Sequence, residues 1–141
     1  MKPLKSIIFA AAASALVLIS TGVNADTPDS CHNTTQEYDR DAGGMVLVKT
    51  SKDIHLDVKR PDSGKVNVEY VYDASNSKTP SGTKIYKWEK VTGGYEFLDP
   101  TDQATIRVKA EDGVNAHTRI IVSDPVCGIS STAQFNVNFY P

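Results

Sequence analysis

Cysteine is scarce in this chain of 141 residues: Cys31 and Cys127 are the only two. Two thiols exclude both a disulfide-dense scaffold and a four-cysteine zinc cluster. Histidine is nearly as rare, and His32, His55 and His117 fall in no spacing that binds catalytic zinc. The sequence has no HExxH, no CxxC, no nucleophile elbow and no phosphate-cradling glycine loop. Its glycine pairs, Gly43-Gly44 and Gly93-Gly94, stand before strand-like runs, so they offer no helix N-terminus to a phosphate. A 3.6-residue apolar period never persists for three turns, which argues against a helical bundle. Clustered Lys and Arg are missing too, and the scattered bases, among them Lys49, Lys52, Lys59 and Arg60, alternate with acids. Nucleic acid is therefore not an expected partner. Together these absences predict a protein that is not an enzyme and carries no cofactor and no metal.

What the chain does have begins at its first residues. Lys2 and Lys5 precede an apolar run from Ser6 to Ile19, followed by a short polar stretch ending at Ala25. Small side chains at Val23 and Ala25 fit the pockets of a signal peptidase, so residues 1–25 read as a secretory leader cut before Asp26. The run of about 14 apolar residues falls short of the ~20 that cross a hydrocarbon core, so no membrane span is expected in the mature chain. The leader has a bacterial look, which predicts a periplasmic, cell-surface or secreted protein. Without the leader, 13 basic residues face 17 acidic ones, a net charge of −4.

An oxidising compartment makes a Cys31–Cys127 disulfide the default expectation. It would close a loop of about 95 residues, for which chain entropy allows on the order of 4–5 kcal/mol. Residues 26–44 are polar and aperiodic, and read as an arm held by Cys31.

Residues 45–141 read as the folded domain. Ile54, Leu56 and Val58 alternate with polar neighbours, as do Val66, Val68, Tyr70 and Tyr72. The same period of two recurs at Tyr86 and Trp88, at Ile106 and Val108, at Thr118, Ile120 and Val122, and at Phe135, Val137 and Phe139. Turn residues separate the runs, as in Pro61-Asp62-Ser63-Gly64, Thr79-Pro80-Ser81-Gly82, Asp99-Pro100 and Asp112-Gly113. About seven or eight short strands in this pattern predict an antiparallel, immunoglobulin-like β-sandwich, with a small β-barrel as the alternative.

Three groups of residues are candidates for contact with a partner. Asp99, Asp102, Glu111 and Asp112 lie in turns without the regular spacing of a calcium loop, and read as solvated acids. Tyr70, Tyr72, Tyr86 and Trp88 would form a stacking platform for sugar rings if their strands paired with the rings outward. The competing reading is core packing, because Val66 and Val68 share the Tyr70–Tyr72 face.

The third group is the chain's last segment. Gly128 stands 14 positions from the end, Tyr140 is the penultimate residue, and Phe135, Val137 and Phe139 alternate between them. This segment resembles the C-terminal strand of chaperone–usher fimbrial subunits. The resemblance implies a strand bordering a groove that a chaperone or neighbouring subunit fills by strand addition. An ordinary core strand ending the domain is the other reading of the same residues. The functional expectation is a non-catalytic exported sandwich that acts by surface attachment or by binding a protein or carbohydrate at the cell surface. The alternatives are a fimbrial or adhesin subunit and a periplasmic enzyme inhibitor.

Overall fold

The structure is a computed structural model that describes residues 17–21 and 28–141. Most of the expected leader lies outside the described residues. Its described part, β1 (Val17–Thr21), is a strand. A single 3-10 turn, Asp29–Cys31, leads into β2 (His32–Asp39), which forms a hairpin with β3 (Gly44–Ser51). β1 lies parallel to β3 on the edge away from β2, with Val17 opposite Val46 and Thr21 opposite Thr50. These elements fall in one compact unit, residues 1–53, and residues 54–141 form a second.

Residues 32–39 of the polar arm form β2, and β3 lies with it in the first unit, apart from the sandwich strands. β2 escaped detection because both of its faces are polar. From Asn33 to Tyr38 every residue is exposed, so no hydrophobic alternation marks it.

The second unit is the sandwich. Its strands are β4 (Ser63–Lys65), β5 (Tyr70–Asp73), β6 (Ile85–Thr92), β7 (Glu96–Phe97), β8 (Thr105–Lys109), β9 (Val114–Asp124) and β10 (Ile129–Tyr140). One sheet has the order β4-β10-β9-β6 and the other β5-β8-β7. Bridges His55–Lys78 and Lys59–Asp73 attach the segment before β4 to the β5 end of the second sheet. The resulting order follows the immunoglobulin scheme, in which consecutive hairpin strands are shared between two sheets. Neither sheet closes on itself, so the barrel alternative is set aside.

Within the sandwich the pairing is antiparallel except where β4 lies parallel to the end of β10. Ile54, Leu56 and Val58 pack against the core as their alternation predicts, but their segment is held by isolated bridges at His55 and Lys59 instead of a ladder. Val66 and Val68 are not in a strand at all. Asn67 takes a left-handed conformation, φ 60°, and leaves Val68 42% exposed.

Alternation is most regular in β9, where Ala116, Thr118, Ile120, Val122 and Asp124 are buried and their neighbours face out. The core also holds Tyr72, Trp88, Tyr95, Ile106, Val108, Val137 and Phe139. Trp88 on β6 sits opposite Ile120, and its indole ring packs 6.0 Å from Tyr72. The indole N–H donates to the Gln103 carbonyl at 2.7 Å, so its one polar atom is satisfied. A buried tryptophan at this place in an immunoglobulin-like sandwich ordinarily packs on a disulfide between the sheets. Here Tyr72 and Ile120 fill that space, and the disulfide is elsewhere.

The Cys31–Cys127 bond is formed. Cys127 lies in the turn between β9 and β10, a turn organised by Asp124. One oxygen of that carboxylate accepts the N–H groups of Val126 and Cys127, each at 3.1 Å, and the Ser81 hydroxyl at 2.6 Å. The other oxygen accepts the Ser81 N–H at 2.9 Å. Burial alone would raise the Asp124 pKa. The bonds from Ser81, Cys127 and Val126 outweigh it and hold the carboxyl below its usual range. Gly128 closes the turn at φ 66°, donating its N–H to the Asp124 carbonyl. Local turn geometry therefore accounts for this glycine.

Candidate binding face

The four rings considered as a stacking platform are mainly core. Tyr72 is fully buried and Trp88 is 2% exposed, so neither can present a face to a sugar. Tyr70 and Tyr86 are half-buried and pack against the same core. The Tyr70 ring lies 5.8 Å from Phe139, and its hydroxyl accepts the Lys65 N–H at 2.7 Å. Tyr72 also meets Phe135 edge-to-face at 5.0 Å. Burial pushes the Tyr72 hydroxyl well above the ordinary tyrosine range, with the neighbouring Tyr95 adding to the effect. Tyr72 and Trp88 are therefore core residues, and the four rings do not share an open face.

The residues of the expected strand-addition edge divide in the same way. Val137 and Phe139 are buried and Phe135 is half-buried against the core, so all three fill the sandwich of their own chain. Tyr140 is out of phase with them and is 55% exposed on the opposite face. The end of β10 is not an edge either, because Asn138–Tyr140 pair with Ser63–Lys65 of β4.

The outward face of the β10-β9-β6 sheet presents uncommitted polar groups. Along β10, Ser130, Thr132, Gln134, Asn136, Asn138 and Tyr140 all face solvent. Alternate residues of a strand lie about 7 Å apart on one face, so these side chains form a straight track. Register extends the track sideways. Gln134 stands opposite Arg119, which stands opposite Glu89; Asn136 stands opposite His117; and Asn138 stands opposite Asn115. Arg119 and Glu89 approach to 3.8 Å, a loose pair on a half-exposed surface. The amides of Asn115, Gln134, Asn136 and Asn138 make no hydrogen bond to another described residue. Each therefore keeps both its donor and its acceptor for a ligand.

The aromatic and apolar partners of the alternation dominate the sequence of β10 and mask this row. The signal was present: the polar set between Ile129 and Tyr140 contains no charge and three amides in perfect alternation. The acidic turn residues do not converge. Asp99 is held by Arg107 through contacts of 2.9–3.2 Å, which keep its carboxyl below the usual range. Among the described residues, no three His, Cys, Asp or Glu side chains gather as a metal site would require. No helix among them is long and apolar enough to cross a membrane.

His32 is a residue whose burial the sequence did not signal. It is 4% exposed beside the bonded Cys31, and its Nε2 lies 3.4 Å from the Asp29 carboxylate. No protein-family model matches the chain, and no curated protein is significantly similar to it.

Proposed function

We infer that the protein is exported to an oxidising compartment and works there without catalysis, binding a neutral carbohydrate chain on the outward face of its four-stranded sheet. The row Gln134, Asn136 and Asn138, extended by Asn115 and His117, is the observation that carries this reading. A primary amide donates and accepts in one plane, which suits the paired hydroxyls of a sugar. The β10 track carries no charge, so a neutral polymer meets no unpaired ion on it. Tyr140 supplies an exposed ring at one end of the track for stacking. The leader and the disulfide support the compartment: a cysteine pair joined across about 95 residues belongs in an oxidising space.

Calorimetry with neutral oligosaccharides, preceded by an array screen, tests the reading. The variants Asn136→Ala and Asn138→Ala are expected to weaken binding at least tenfold with the melting temperature unchanged, since both side chains face solvent. Wild-type protein that binds no neutral glycan, or variants that bind as well as wild type, would overturn it. A protein ligand captured on the same face and lost with the same substitutions would place the activity on this face but change the ligand class.

A further inference from the structure

Every strand at the edge of a sheet presents unpaired N–H and C=O groups, and natural sandwiches blunt such edges with lysine, proline, a bulge or shortness. The edge of β10 has none of these. The strand is 12 residues long, Ile129–Tyr140, with no charged residue, no proline and no glycine. Its pairing with β9 runs without a bulge from Ile129 to Phe139. On its other side β4 covers only Asn138–Tyr140. The Arg60 guanidinium lies over the Phe135 ring at 5.2 Å, so the chain leading into β4 already borders β10 at that point. On the side away from β9, the stretch Ile129–Phe135 has no strand beside it among the described residues.

We propose that this open stretch pairs with the same stretch of a second copy, antiparallel about a two-fold axis at Thr132, joining two four-stranded sheets into one. Antiparallel pairing of a strand edge with itself requires the paired residues to have the same parity, and a centre at Thr132 meets that condition. Thr132 then faces its own counterpart, Ser130 faces Gln134, Ser131 faces Ala133 and Ile129 faces Phe135. Thr–Thr and Ser–Gln are hydrogen-bonding pairs on the outward face, and Ile–Phe is an apolar pair on the inward face. No pair sets like charges together, because the stretch carries no charge at all.

A seven-residue ladder adds about six backbone hydrogen bonds. The small side chains at Ser131 and Ala133 leave room at the axis. Two-fold symmetry closes the assembly as a dimer, because self-pairing uses this edge once in each copy. The proposal does not depend on the carbohydrate reading, and its test reads mass rather than ligand binding.

Light scattering coupled to size-exclusion chromatography, over a rising concentration series of the oxidised protein, provides the test. Wild type is expected to shift towards twice the chain mass. Thr132→Lys and Thr132→Glu each place like charges opposite one another at the axis, and each is expected to remain monomeric with an unchanged circular dichroism spectrum. Mixing the two variants in equal amounts should restore the dimer, since unlike charges then face each other. Wild type that stays monomeric throughout, a Thr132→Lys protein that dimerises like wild type, or growth past the dimer into polymers would each overturn the proposal.

Discussion

Asp124 shows how much one side chain can organise in a domain of this size. Its carboxylate has no exposed surface and accepts bonds from three backbone N–H groups and one hydroxyl, binding the Ser81 loop to the turn that carries Cys127. Asp124→Ala leaves those donors without their acceptor, and is expected to lower the unfolding free energy by about 2 kcal/mol or more in urea titration. The sign of the pH dependence follows from a carboxyl whose folded pKa lies below its unfolded value. Its contribution is fully present above an unfolded pKa of about 3.9 and is lost as pH falls through the folded value. The stability difference between wild type and Asp124→Ala should therefore be constant near neutrality and shrink below about pH 4. A difference that grew on acidification would refute this account. In sequence Asp124 only follows an alternating run and gives no sign of its burial, because Ser81, which supplies two of its four donors, is 43 residues away.

At the scale of the element, the register between β6 and β9 shifts at Lys90–Thr92, and Gly93 follows with φ 104°. A Cβ at Gly93 would stand 2.8 Å from the Asn115 carbonyl oxygen and 3.2 Å from the Ala116 Cα. Both neighbours belong to the backbone of β9 and cannot swing aside. Gly93→Ala is expected to cost about 2 kcal/mol or more, measured as a lower urea midpoint with unchanged slope. A midpoint equal to wild type would show that the β6–β7 connection yields more readily than this packing implies. The strand pattern of β8, β9 and β10 was legible from alternation, because each buries one face and wets the other. β7 was not, since two residues carry no period. β4 was hidden for a different reason: its turn-like Ser63-Gly64 begins a three-residue strand in which Gly64 lies against the rings of Tyr70 and Phe139.

At the scale of the whole molecule, the disulfide joins Cys31 near the start of the described chain to Cys127 before its last strand. Reduction, or the double variant Cys31→Ser with Cys127→Ser, is expected to lower the unfolding free energy by up to about 5 kcal/mol through the freed unfolded chain. Denaturant titrations with and without reductant measure this. Coincident curves would mean that the cross-link does not constrain the unfolded ensemble.

The sequence by itself determined the strand class, the phase of most strands and the pairing of the two cysteines. Side-chain alternation is a local property, and two thiols allow one intramolecular bond. Which face of an alternation turns inward, and which edge stays open, was decided only by the tertiary structure. Tyr72 and Trp88 are buried because the sheets that carry them, one each, face each other, and the amides of β10 are exposed because nothing among the described residues lies over theirs. Two faces of one strand differ in the residues they carry. Whether another layer covers a face depends on chain that is distant in sequence, and the period of two holds no record of it.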